Sequence, residues 1–349
     1  MEYFTTDALA RLAEAEGLVY PQYLLSEVVA ALDVGKHVML TGSPGTGKTS
    51  LAFLAAQLAR QAVLSTGYLA VTASSDWGIG ETIGRYDTGP EGAVFQPGVF
   101  LQAVLAGEWL VIDELNRADF DAAFGPLFTV LANQAVTLPF KQAGHSHPIS
   151  IVPTKADAPL NTDPIRLPAS WRMVATMNEF DKSTLHRLSY ALMRRFAIIE
   201  VESPPTSVIR ALLQGPGEII ADLLAVRSFV DMGPAIFLDA AKFAERRAMD
   251  CDTTRSRILF ETFYSYLLPQ LDRLDDRQAR ELFEVLAPLF DAPELLNLGR
   301  VLRKVLGTET SVGQVAPAER ATLRSIDSLP SAGHYRPARS HLLPSLAAE

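Results

Sequence analysis

Only one cysteine, Cys251, occurs in 349 residues, which excludes an internal disulfide and any cysteine-rich metal site. No apolar run approaches the ~18 residues that a membrane-crossing helix needs, so no membrane span is expected. The opening residues, Met-Glu-Tyr-Phe-Thr-Thr-Asp, lack a basic region followed by an apolar one. No export leader is expected, and the expected location is the cytoplasm. Basic charge is also scarce. With 31 Lys and Arg against 40 Asp and Glu, the net charge is −9. That balance argues against a broad nucleic-acid-binding surface but allows a local basic loop. His145 and His147, the closely spaced histidines, have no third ligand in view and read as loop residues. No internal repeat is found.

What the sequence does have is a globular balance, 48% hydrophobic and 20% charged, over a length that suits two domains. Its organising stretch is Gly42-Ser43-Pro44-Gly45-Thr46-Gly47-Lys48-Thr49, followed by Ser50, which fits the phosphate-loop pattern G-x-x-x-x-G-K-[ST] at every fixed position. His37–Thr41 before it reads as a buried strand, and Lys48–Arg60 after it carries apolar residues at helical spacing. Glycines let backbone N–H groups turn inward round a phosphate, and the helix directs its positive dipole end at the same place. Lys48 would reach the β- and γ-phosphates, and Thr49 would hold a magnesium ion.

Two amphipathic helices are expected over residues 7–16 and 22–33, with Tyr20-Pro21 between them as a place to pass a bound base or as a core turn. A second strand is expected at Tyr68–Thr72. Five glycines between Gly78 and Gly92 make a loop or hairpin of residues 74–98. After a helix at 99–106, Glu108–Glu114 reads as a buried strand ending in two acids. Asp119 should cap a helix running to about Ala132. Residues 134–170 read as a hairpin insertion with β-like pieces at Ala135–Phe140 and Pro148–Pro153. Strands at Trp171–Asn178 and Phe196–Val201, with a short helix over Ser189–Arg194 between them, would close the first domain, 1–203. Helical patterns alone follow over 204–310, an all-α second domain, and 311–349 reads as a mobile tail.

Hydrolysis needs more than a loop. An acid must hold the magnesium, and another group must orient the attacking water. Asp113 is assigned to magnesium and Glu114 to polarising water; two structural acids capping a strand are the plain alternative. Asn178, at the end of an apolar strand, is placed to bond the γ-phosphate or the water. Arg194 and Arg195 suit the charge that develops on a transferring phosphoryl group, from the same subunit or a neighbour. A solvated helix end explains them equally well at this stage.

The order GSPGTGKT, LVIDELNRA (110–118), ATMN (175–178) and ALMRRF (191–196) resembles the AAA+ ATPases. It looks most like the dynein-related branch that includes MoxR-like and McrB-like proteins. The Asp113–Ala118 run, the Phe95–Phe100 segment and the Asn178…Asp181-Lys-Ser183…Arg194-Arg195-Phe196 block sharpen that placement, and the last of them looks closer to McrB-like proteins than to MoxR. The resemblance covers roughly residues 20–250. It implies an α/β fold, a P-loop αβα sandwich with a five-stranded parallel sheet, followed by a helical lid. It also implies an ATP- and Mg2+-dependent ATPase in a homo-oligomeric, commonly hexameric ring that remodels or activates a partner protein. Asn178 would be sensor 1, and Arg194 or Arg195 the arginine finger. Segments 74–98 and 134–170 would be insertions facing a pore or partners. An NTP-driven motor subunit of a McrB-like restriction system acting on DNA, with GTP among its candidate nucleotides, is the alternative. One departure stands out: Met232–Phe237, where the lid helix should open with a sensor-2 arginine, has none, and Arg246 and Arg247 lie about three turns farther on.

Overall fold

The computed structural model describes residues 4–89, 92–142, 144–178, 193–271 and 274–306. Ten strands run through them: β1 His37–Gly42, β2 Tyr68–Thr72, β3 Gly84–Gly89, β4 Gly92–Pro97, β5 Trp109–Asp113, β6 Val136–Thr137, β7 Ile149–Pro153, β8 Asp163–Leu167, β9 Met173–Asn178 and β10 Phe196–Glu200. Five of these form a parallel sheet in the order β10-β1-β9-β5-β2. Strands covered on both faces must be apolar along their whole length. All of β1 and residues 173–177 of β9 are accordingly buried.

Alternation along each strand then feeds two cores. Met39, Leu110, Ile112 and Ala175 pack with Phe100, Phe124 and Trp171 on one face. Val38, Leu40, Val111 and Val174 pack with Leu24, Val28, Leu51 and Leu58 on the other. Each such side chain stabilises by roughly 1.5–3 kcal/mol when fully buried. Register aligns the strand ends: Gly42 pairs with Asn178, Ile112 with Ala175 and Thr72 with Asp113. The carboxyl ends of β1, β9 and β5 therefore meet at one edge.

Helices at Thr6–Ala15, Gln22–Asp33, Lys48–Gln61 and Val99–Ala106 match the sequence pattern. The helix after Asp119 does not reach Ala132 as one piece. Asp119 caps it, its Oδ1 accepting from the Ala122 N–H at 3.1 Å, but it divides into Phe120–Phe124 and Leu127–Leu131. Pro126 at the break has no N–H for the ladder, and its ring crowds the preceding turn.

The insertion over 134–170 also differs from a simple hairpin. Its first β-like piece shrinks to β6, and a third strand, β8, pairs in parallel with β7. Pro164 made β8 hard to foresee, and as an edge strand it tolerates the missing donor. The other insertion is the β3–β4 hairpin expected from its glycines. The two insertions touch: the Tyr86 hydroxyl accepts from the Lys141 N–H at 2.7 Å, and the Tyr86 and Phe95 rings lie 5.8 and 5.0 Å from Phe140.

Beyond Thr206 the described residues are helical: Thr206–Leu212, Gly215–Ser228, Pro234–Ala248, Arg255–Thr262, Asp276–Leu286 and Ala292–Leu306. They share a core of their own around Leu223, Phe237, Leu259, Phe263 and Leu298. Gly215–Ser228 is wound in 3₁₀ turns rather than α turns. Its buried residues Ile220, Leu223 and Val226 recur every three positions, the period of that tighter helix. None of the described helices is long and apolar enough to cross a membrane. The Asp181–Ser183 block, most of the Ser189–Arg194 helix and the tail from 311 lie outside the described residues.

His37 opens β1 and supplies a test of this core. Its Nδ1 accepts from the Met173 N–H at 3.0 Å, and its ring sits against Trp171 and Phe196. Burial, helped by the charges of Arg172, Lys36 and Arg195, pushes its pKa down from 6.5 to about 3. The unfolded chain takes up this proton near pH 6.5, whereas the folded chain resists it. The contribution is thus fully present above pH 6.5 and is lost as pH falls toward 3, up to ~4 kcal/mol in total. In urea unfolding between about pH 4 and 7, His37→Gln should flatten the acid loss of stability. An unchanged slope would show that the ring is not held neutral.

Candidate active site

The Gly42–Thr49 loop leaves β1 and enters the Lys48–Gln61 helix at the sheet's carboxyl edge. Gly47 has φ of 89°, a left-handed conformation suited to glycine. A side chain there would also collide with Tyr20, whose hydroxyl lies 2.6 Å from the position a Cβ would take. That hydroxyl donates to the Gly47 carbonyl at 2.8 Å and fixes the loop's flank. Burial raises the Tyr20 pKa, so the hydroxyl keeps its proton. Tyr20-Pro21 thus lies against the loop's backbone, a contact that the sequence did not reveal. Lys48 Nζ donates to the carbonyls of Gly42 and Ser43, each at 2.8 Å. Thr46 Oγ1 donates to the Ser43 carbonyl at 3.1 Å, and Ser50 lies in the first turn of the helix.

The structure brings Asp113, Glu114 and Asn178 together beside this loop. Thr49 donates its hydroxyl to Asp113 Oδ1 at 2.7 Å. Thr176 donates to the same oxygen at 2.5 Å and accepts the Glu114 N–H at 3.1 Å. Glu114 has φ of 54°, a conformation costing a non-glycine residue roughly 1–2 kcal/mol. Departing from the strand in this way, its Oε1 accepts from Asn178 Nδ2 at 2.7 Å. The Asn178 N–H reaches Asn116 Oδ1 at 3.4 Å. All three key side chains are half-buried, open to a ligand at the strand ends.

The chemistry of the donors fits magnesium. Among the described residues no group of three or more His, Cys, Asp or Glu could hold a metal ion. Mg2+ needs no such cage; it keeps several waters and takes one or two protein oxygens plus phosphate. Thr49 Oγ1 and Asp113 Oδ1 are two such oxygens, side by side at the loop.

Arg194 and Arg195 lie elsewhere. They directly precede β10, and Phe196 pairs with His37 at the start of β1. The Arg195 carbonyl accepts from the His37 N–H at 3.1 Å, and the Arg194 carbonyl from Lys36 Nζ at 2.6 Å. From there the run of β1 to Gly42 is roughly 16 Å at 3.3 Å per residue, too far for either side chain to reach its own loop. Action on the subunit's own nucleotide is thereby excluded for these two residues; a role toward another subunit and a plain solvated strand entry are both compatible with the geometry.

Among the described residues, the helical region beyond Thr206 meets the loop through the start of the Pro234–Ala248 helix and without an arginine. Gly233 and Ala235, at the start of the Pro234–Ala248 helix, donate backbone N–H groups to the carbonyls of Pro44 and Gly45 at 3.1 and 3.3 Å. A Cβ on Gly233 would lie 2.1 Å from Gly45, so only glycine permits this approach. Arg247 pairs with Glu261 at 2.8 Å and Arg246 with Asp250 at 3.5 Å, both within the lid. Arg117, just after the acids, is exposed. The residue that sequence reasoning missed is Thr176. Its signal was a single polar residue inside the apolar run Met173–Met177.

Comparison with known proteins agrees with this geometry. Residues 37–196 match the AAA domain of the dynein-related subfamily. A 198-residue stretch is 26% identical to the type IV methyl-directed restriction enzyme EcoKMcrB subunit of Escherichia coli strain K12, covering 53% of this chain and 39% of that protein. The chain therefore spans well under half the length of that relative.

Thr176 gives a sharp test of the cluster. Thr176→Val removes one hydroxyl bond from Asp113 and the acceptor for the Glu114 N–H, each worth about 1 kcal/mol. Turnover should fall at least tenfold with nucleotide affinity changed only a few-fold, and Thr176→Ser should restore most of the rate. Equal rates for the valine and serine variants would remove Thr176 from the account.

Proposed function

We propose that this chain, whose residues 37–196 match the AAA domain of the dynein-related subfamily, is a nucleoside triphosphatase that hydrolyses ATP at the interfaces of a ring of its own copies. Hydrolysis would drive remodelling or activation of a partner protein. The observation that carries this reading is the division of the catalytic groups between opposite edges of one sheet. Asp113, Glu114 and Asn178 stand at the carboxyl edge with the loop, and Arg194 and Arg195 at the amino edge.

The roles follow from the chemistry. Backbone N–H groups of Gly45–Thr49 and the helix N-terminus receive the phosphates, with Lys48 on the β- and γ-groups. Magnesium, when bound by Thr49 and Asp113, neutralises charge on the phosphate oxygens. Glu114 draws a proton from the attacking water, and Asn178 holds that carboxylate in place by the bond already made to Oε1. Charge building on the γ-phosphoryl oxygens requires a further cation, and this subunit's own Arg194 and Arg195 lie at the other edge of the sheet. Arg194 or Arg195 of the next copy supplies it, which makes a closed ring, a hexamer by family habit, the functional unit. The joined insertions, β3–β4 and β6–β7–β8, give such a ring a stiff surface for a partner protein.

A second reading has one observation in its favour. The relative at 26% identity is a restriction enzyme subunit, so an NTP-driven motor acting on DNA, with GTP as possible fuel, is the alternative. The net charge of −9 counts against it.

Three expected outcomes check the proposal. Glu114→Gln should bind nucleotide and lose turnover by 10²-fold or more. Arg194→Ala and Arg195→Ala should leave binding largely intact while at least one loses turnover by about 10³-fold. Mixing that variant with Lys48→Ala protein should restore some activity; no rescue in rings shown to be mixed contradicts action in trans. Finally, turnover should be faster with ATP than GTP and unmoved by DNA. A GTP preference with DNA stimulation would favour the restriction-type motor.

A further inference from the structure

We infer that the cavity at the amino edge of the central sheet is an oxyanion site, taking a phosphate-bearing small anion. The cavity has a volume of about 580 Å³, and Lys36, Lys155, Arg172, Arg194 and Arg195 line it without a single carboxylate among the described residues. Its size is that of an ordinary small-molecule site. The imbalance is local and opposes the trend of a chain with net charge −9.

The cations of this cavity are oriented but not neutralised. Arg172 gives Nε to the Leu32 carbonyl at 3.0 Å and Nη1 to the carbonyls of Ala169 and Trp171 at 2.7 and 2.8 Å. Such bonds fix the guanidinium and leave its charge intact. Lys36 likewise bonds the Arg194 carbonyl. Arg195 Nε is buried without a hydrogen-bond partner in the described residues. Arg172 also lines an adjoining cavity of about 250 Å³ whose wall carries Asp33, and that carboxylate offsets part of its charge; Asp33 does not line the larger cavity. Basic residues of the lid are handled differently, with carboxylate partners such as Arg247–Glu261, Arg255–Asp222 and Arg277–Glu281. His37, on the same wall, is held neutral first by its burial and then by the nearby charges of Arg172, Lys36 and Arg195.

Basic side chains from just before β1 and β10, from the Arg172 segment and from just after β7 line this one cavity, a surround that suits a tetrahedral oxyanion, which offers acceptors in every direction. Planar guanidinium forks favour phosphate, and the ammonium groups add point charge. The inference extends the trans role given to Arg194 and Arg195 but does not depend on it, because Lys36, Lys155 and Arg172 line the cavity within a single subunit. The phosphate has two sources in principle: a free phosphorylated molecule, or the triphosphate held by an adjacent copy.

Calorimetric titration of the full chain carrying Lys48→Ala with pyrophosphate tests this site apart from the loop. At dilutions where light scattering shows single chains, a free ligand should bind one per chain. Affinity should fall at least tenfold with Arg172→Gln and three-fold or more with Lys155→Gln, and weaken as salt rises. Lys155 is exposed, so its variant keeps the test valid if Arg172→Gln fails to fold. If binding appears only with ATP, at concentrations where copies associate, the basic residues serve a neighbour's triphosphate in the trans role already proposed, and a separate oxyanion site is overturned. No binding in either arm, binding indifferent to both substitutions, or binding of an acidic peptide in place of pyrophosphate overturns it. Failed rescue in the mixed-ring experiment with pyrophosphate binding intact would instead overturn the trans reading and leave this site.

Discussion

Parallel pairing of β1, β9 and β5 in fixed register is the constraint from which the active site derives. With Gly42 opposite Asn178 and Ile112 opposite Ala175, Asp113 comes level with Thr176 and the phosphate loop opens beside both. A slip of one residue would turn Thr176 to the other face and bring an apolar neighbour to Asp113. The register is held by burial, since residues 38–40, 110–112 and 173–175 supply both cores. Hydrophobic packing, not the polar bonds, therefore sets the distances at which Thr49, Thr176 and Asn178 meet the two acids.

Polar contacts at that edge then form a chain from loop to water site: Thr49 to Asp113, Asp113 to Thr176, Thr176 to Glu114 and Glu114 to Asn178. The helical region beyond Thr206 joins this chain by Gly233 and Ala235 on the carbonyls of Pro44 and Gly45, with the Ile236 side chain beside Gly45. Where a side chain would ordinarily reach the nucleotide from the lid, this protein ties the lid to the loop itself. The opposite edge of the sheet is a different electrostatic world, with five cations round one cavity and a histidine held neutral among them. One sheet thus presents the phosphate-loop motif with two carboxylates and an amide at one edge and, a strand length away, a cationic edge. Copies packed edge to edge would bring the two into register.

Much of this was legible in the sequence, and for identifiable reasons. The phosphate loop, the Asp113-Glu114 strand end and Asn178 are local signals, where a motif and an apolar run specify both element and orientation. Long-range geometry was not legible. Thr176 reads as an unremarkable strand residue until β9 lies beside β5, and the Tyr20 contact joins residues 27 apart in sequence. The third strand of the insertion, β8, hid behind Pro164, and the helix after Asp119 yielded to Pro126, whose local effect was outweighed in the reading by the apolar pattern around it. Period-three burial in Gly215–Ser228 falls too near 3.6 to be separated by inspection.

Turnover per subunit as a function of protein concentration, measured alongside assembly mass by light scattering, tests the central claim most directly. Hydrolysis completed across an interface predicts a rate per subunit that is near zero for single chains. It should rise with the fraction assembled and level off when rings are complete. A constant rate per subunit, carried by single chains at the lowest concentrations, would contradict it.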